Sequence, residues 1–223
     1  MLQQSLIPSS IPKIDNLDIG HKFLPAREVG GDYYDFIQTG NNHVAIAVGD
    51  VSGSDIEAAE YTTMGKYVLR SYAREFKSPS EVLHKTNNII CEDTRAEMFI
   101  SLFYGVIDLE NMKLSYANGG CEPAVFYSAR ERKCHLLTAD GMLLGIRSGT
   151  AFAEESIDIT PGDIIVAYTD GLTEAGTEKQ RFGRDRICEA VRASAHLGGQ
   201  ALADRIYDQL VEFTHGRIAD DAA

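Results

Sequence analysis

The chain has 223 residues, 44% of them hydrophobic and 24% charged, the balance of an ordinary folded protein with length for one large domain or two small ones. Thirty-three acidic residues against twenty-one basic ones leave a net charge of -12. Phosphate-rich polymers and anionic membranes are gripped by Lys/Arg clusters, so this balance argues against a nucleic-acid or anionic-membrane partner, and membrane insertion, which needs a long apolar run, is not expected either.

Cys91, Cys121, Cys134 and Cys188 are too widely spaced for a Cys-x-x-Cys pair. There is no apolar run of transmembrane length, and the N-terminus lacks the basic start and apolar core of a secretion signal. The expectation is a reduced, cytoplasmic protein, or the cytoplasmic part of something larger.

Residues 1–16, punctuated by Pro8, Ser9-Ser10 and Pro12, read as a connector from an upstream sensor or regulatory domain. From Leu17 the pattern predicts short strands in LDIGHKFLP, YYDFIQ and NNHVAIAVGD. Val44, Ile46 and Val48 alternate with small residues in the last, and Asn41-Asn42 after Gly40 marks a hairpin turn. After Asp50 the apolar spacing lengthens to three and four residues, predicting a helix over 55–76. A second helix opens at Ser78-Pro79-Ser80-Glu81, with Val82, Leu83, Ile89 and Ile90 as its apolar side. A second β block runs through MFISLFYGVID, KLSYANGG, PAVFYS and KCHLL, then AFAEESIDI and DIIVAYTDG, the last two parted by the turn Thr160-Pro161-Gly162-Asp163. Residues 183–195 and 198–215 read as helices. Strands, helices, strands and helices without strict βαβ alternation define an α+β class with layered antiparallel sheets, in one domain spanning 17–223.

Three segments share one design, an acid beside Gly or a small residue where a β run ends: Glu28-Val29-Gly30-Gly31-Asp32, Val48-Gly49-Asp50-Val51-Ser52-Gly53 and Tyr168-Thr169-Asp170-Gly171. One such acid alone reads as a turn aspartate. Three of them, with Asp220-Asp221 near the C-terminus, suggest a shared site for divalent cations, which want hard oxygen ligands on short, stiff side chains.

Taken in order, EVGGDYYDF, VAIAVGDVSG with Ala58-Ala59 in the following helix, MFISLFYGVID, LSYANGG, GMLLGI, GDIIVAYTDGLTEA, FGRDRI and the terminal DDAA resemble the bacterial protein phosphatase 2C-like (PPM) family, in its SpoIIE/RsbU branch. The resemblance covers nearly the whole chain. It implies a four-layer α-β-β-α sandwich with two antiparallel sheets and two divalent cations, Mn2+ or Mg2+. It also implies a serine/threonine phosphatase that uses a metal-activated water on a phosphorylated STAS-type (anti-anti-sigma-factor-like) protein. By the same resemblance Asp32, Asp50, Asp170 and Asp220 match the metal-binding acids, and the carbonyl of Val51 the backbone ligand. The alternative is a catalytically inactive phosphatase-like module kept for protein binding, and a homodimer is left open.

Departures from the family pattern are local. Ser54-Asp55-Ile56-Glu57 follows DVSG where Lys-Gly or His-Gly is common, and these acids read either as extra ligands or as helix caps. Gly119-Gly120-Cys121-Glu122-Pro123 stands in place of Ala-Gly-His-Asn-Pro, and Cys121, without a basic activator, reads as a small packed residue. Arg27 would either meet a substrate phosphate in a bidentate contact or form a surface ion pair. The six histidines read as surface or packing residues. The sequence stops at DDAA where the family continues into a strand, so a missing last strand and a weakly held Asp220 are expected.

Overall fold

Apolar residues on both faces of the central strands set the layering of the chain, seen here in a computed structural model that describes residues 7–8, 11–26, 30–40, 42–53, 56–93, 98–177 and 179–223. The elements in order are β1 (Tyr33–Gln38), β2 (His43–Val51), α1 (Ile56–Glu75), α2 (Pro79–Asp93), β3 (Ile100–Asp108), β4 (Lys113–Gly119), β5 (Ala124–Ser128), β6 (Lys133–Leu137), β7 (Glu155–Asp158), β8 (Ile164–Val166), α3 (Asp170–Thr173), β9 (Gly176–Thr177), β10 (Gln180–Arg181), α4 (Gly183–Ser194) and α5 (Gly199–Thr214). A five-stranded sheet has the order β1-β2-β3-β4-β7 and a three-stranded sheet the order β6-β5-β8. Every pairing in both is antiparallel.

Three apolar cores separate four layers. Ala45, Ala47, Leu102 and Tyr104 of the large sheet pack with Leu69 and Ala73 of α1 and Leu83 and Ile90 of α2. The intervening residues, Val44, Phe103 and Ile107, pack with Leu114, Ala124, Phe126 and Leu137 between the sheets. On the far side Val125 and Tyr127 of β5 meet Ile187 and Val191 of α4 and Leu202 and Ile206 of α5. Period-two alternation in β2, β3 and β5 thus feeds a different core from each strand face. This is the α-β-β-α sandwich anticipated from the sequence.

The helices follow the expected bounds closely. At the start of α2 the Ser78 hydroxyl accepts the Glu81 N–H at 3.3 Å, satisfying one of the donors a helix start leaves open.

The N-terminal region departs from expectation. LDIGHKFLP is not a sheet strand. It makes single bridges only, Ile14 with Leu17 and Leu24 with Ala222, and otherwise runs as a strap along the start of α5, where Gly199 N–H donates to Asp18 at 2.8 Å and Lys22 meets Asp204 at 2.7 Å. Within the expected connector, Ile14 packs against the inter-sheet core. Asn41 of the expected hairpin turn lies outside the described residues. The last residues are anchored: Leu24 and Ala222 exchange backbone hydrogen bonds at 2.8 and 3.0 Å.

Candidate active site

The four acids picked out in the sequence are delivered by different elements to one end of the sheets. Asp32 immediately precedes β1, Asp50 is the penultimate residue of β2, Asp170 opens α3, and Asp220 lies at the chain end. Two glycines permit the approach. A Cβ on Gly31 would stand 2.1 Å from the Val51 carbonyl oxygen and 2.4 Å from Asp50 Oδ1, so only a residue without a side chain lets this backbone lie against β2. A Cβ on Gly171 would stand 1.7 Å from the Asp221 carbonyl oxygen, which places α3 directly on the chain end. Asp50 and Asp170 line one cleft of about 310 Å³, with Ser101, Cys121 and Glu122 on its polar side and Phe99 and Leu143 among its apolar residues.

Asp32 is 3% exposed and accepts the Thr169 hydroxyl at 2.6 Å. Burial, then the charge of Asp50, push its carboxyl well above the usual range, against the pull of the Thr169 hydrogen bond. Burial, followed by Asp170, pushes Asp50 up to about 7, with Asp220 and Asp221 adding to the effect. Asp170 is raised by burial and then by Asp220. Asp220 is exposed and acts on Asp50 and Asp170 through its charge. Its neighbour Asp221 is buried and accepts the Ala26 N–H at 2.7 Å.

Among the described residues no three His, Cys, Asp or Glu side chains stand in a ready-made coordination cluster. The fit to a hard cation rests on donor type and charge. Carboxylates crowded together out of water retain protons unless positive charge joins them, and an all-oxygen donor set suits Mg2+ or Mn2+.

Arg27, Ser54 and Asp55 lie outside the described residues. Cys121 is buried, and burial pushes its thiol up to about 12, the condition of an inert packing cysteine. Several histidines make local contacts: His21 with the Tyr34 hydroxyl at 2.6 Å, His84 with the Thr150 carbonyl at 2.7 Å and His135 with Glu131 at 2.9 Å. Sequence reasoning missed Thr169, whose position just before Asp170 was the available signal, and the inward turn of Asp221. It also missed the ion pair of Glu122 at the cleft with Arg184 of α4, at 2.9 Å.

The layering and the acidic end together define the architecture of a PP2C-type domain. The SiaA-PP2C domain of Pseudomonas aeruginosa superposes with a TM-score of 0.78 over 90% of this chain and 82% of that chain, at 18% identity. The catalytic domain of the serine/threonine protein phosphatase PstP, in complex with 2 manganese ions, superposes with a TM-score of 0.62 over 92% of each chain, at 13% identity. Residues 40–223 match the family model of Stage II sporulation protein E (SpoIIE), and the chain belongs to that family. Phosphoserine phosphatase RsbU of Bacillus subtilis (strain 168) is 31% identical over 220 residues, 99% of this chain. The match spans 65% of RsbU, just under two thirds of its length. Among the described residues no helix is long and apolar enough to cross a membrane.

Proposed function

We propose that the chain is a metal-dependent protein serine/threonine phosphatase domain acting on phosphoserine or phosphothreonine of a signalling protein. The observation that carries this reading is the shared cleft of Asp50 and Asp170, with Asp32 and Asp220 close enough to act on them, in a chain of the SpoIIE family. Asp32, Asp50, Asp170 and Asp220, with the Val51 carbonyl, would hold two divalent cations, Mn2+ or Mg2+. Such cations supply positive charge to phosphoryl oxygens and acidify a water to near neutrality.

The chain's own residues bind and orient. Thr169 holds Asp32 in place through its hydroxyl, and Gly31 keeps the Val51 carbonyl and Asp50 free of a neighbouring side chain. A cleft of about 310 Å³ admits a phosphorylated side chain, while the body of a protein substrate stays on the rim. The protonated, buried Cys121 offers no nucleophile, so the reading needs no covalent enzyme intermediate. The similarity to phosphoserine phosphatase RsbU supports phosphoserine as the target, and the family resemblance read from the sequence adds a phosphorylated STAS-type protein as substrate and control by an upstream sensor or regulatory domain.

The test is turnover of a phosphoserine STAS-type protein and of para-nitrophenyl phosphate with manganese or magnesium, and with chelator. Metal-dependent turnover is expected, and Asp50→Asn and Asp170→Asn should each lower it by about a thousandfold, roughly 4 kcal/mol of barrier, in a protein that stays folded. Unchanged turnover in either variant overturns the site. No turnover of any substrate by folded, metal-supplied protein favours the inactive binding module.

A further inference from the structure

A second cleft, of about 600 Å³, opens between β6 and α4 and is lined by Cys134, Cys188, Arg184 and Arg192, with Asp185 and Glu189. The two cysteines come from different layers, Cys134 from the edge strand of the small sheet and Cys188 from the helix that covers it. Cys134 Sγ lies 3.8 Å from the Cys188 carbonyl oxygen. Both thiols are free and partly exposed. Cys134 also acts on Cys188: burial, then contact with Cys134, pushes the Cys188 thiol up to about 11, against the pull of Arg192. The other two cysteines are placed differently, Cys121 buried beside the acids and Cys91 on α2, whose layer covers the opposite sheet.

We propose that Cys134 and Cys188 form a reversible dithiol–disulfide site that reacts with low-molecular-weight disulfides of the glutathione class entering this cleft. One protein thiolate attacks a sulfur of the small disulfide, forming a mixed disulfide and releasing one small thiolate. The second protein thiol then displaces the other small thiolate as the Cys134–Cys188 bond closes. Two protein thiols are oxidised, the small disulfide is reduced to two thiols, and the two protons pass to the released thiolates. Arg184 and Arg192 bring guanidinium donors to the cleft for a carboxylate-bearing disulfide; Asp185 and Glu189 balance their two charges and Arg184 is engaged by Glu122, so the contact is one of local hydrogen bonding and not of net positive charge. The bond would tie α4 to β6. Arg184, one turn before Cys188, holds Glu122 of the acidic cleft, so the tie would also fix that wall. Formation of the bond does not depend on the phosphatase reading.

The experiment incubates the full folded chain with oxidised glutathione, blocks remaining thiols and measures intact mass and linked peptides, with reversal by dithiothreitol. The expected product carries two fewer blocking groups than the untreated, blocked chain, contains a Cys134–Cys188 link and is restored on reduction. Cys134→Ser and Cys188→Ser should each convert it to a stable glutathione adduct on the remaining cysteine of the pair. Four unreacted thiols, persistent adducts at both cysteines without closure, or a link between any other pair would overturn the proposal. Because the decisive readout is made on the unsubstituted chain, poor folding of a serine variant does not blunt it.

Discussion

Thr169 carries two contacts on one hydroxyl, donating to Asp32 at 2.6 Å and accepting the Ala223 N–H at 3.1 Å. Its side chain is therefore placed to set both the orientation of an acid and the seat of the chain end. Thr169→Val keeps the shape and removes the hydroxyl, leaving buried Asp32 short of a donor. It should destabilise the fold by about 1–3 kcal/mol in urea unfolding, with Thr169→Ser recovering most of the loss. Equal stability of the valine and serine variants would show the hydroxyl to be idle. Acid-Gly turns are legible because a chain that must bend at a strand end announces it in composition. The division of labour between Asp220 and Asp221 is not, because two identical neighbours differ only in which one the tertiary structure buries.

Between β1 and α1 a second group of charges is held out of water. Asp35 is 1% exposed and Lys66 4%, and Arg70 Nη1 reaches both Asp35 oxygens at 3.2 and 3.0 Å. Burial raises the Asp35 carboxyl, while Lys66 and then Arg70 pull it back. Arg70→Ala should raise it further. A carboxyl raised in the folded state favours the fold when protonated, and that contribution is lost as pH rises through the folded value. The variant should therefore lie close to the parent near pH 4 and fall about 3 kcal/mol below it near pH 7.5, as compared by urea midpoints at the two values. A deficit independent of pH would assign the loss to packing instead. The elements were largely legible, since β2 alternates Val44, Ile46 and Val48 with small residues, β3 and β5 are apolar runs of strand length, and both outer helix pairs have clear apolar faces. LDIGHKFLP misled because its β-type residues have no neighbouring strand to pair with. Of its two single bridges, Leu17 with Ile14 and Leu24 with Ala222, the second draws its partner from far along the sequence, which local pattern cannot reveal.

Across the whole molecule, the strap and the chain end are tied to each other and to the loop before α3. Leu24 pairs with Ala222, Thr169 N–H donates to the Ala223 carbonyl, and Ala26 N–H donates to Asp221. Deleting residues 221–223 removes these contacts together and should cost about 1 kcal/mol for each hydrogen bond lost, read as a lower urea midpoint. It should also weaken manganese binding, read by calorimetry. A midpoint and affinity matching the parent would show that the end is not a structural member. The ties have a consequence for how the protein comes into being. Ala26 and Asp221 are separated by 195 positions and Thr169 and Asp32 by 137, so no early segment of a nascent polypeptide contains a complete acidic centre. On the ribosome the sheets and helices can begin to assemble as they emerge, but the centre waits for Asp220 and Asp221. Synthesis itself thus delays any chemistry at that centre until nearly all of this sequence has left the exit tunnel.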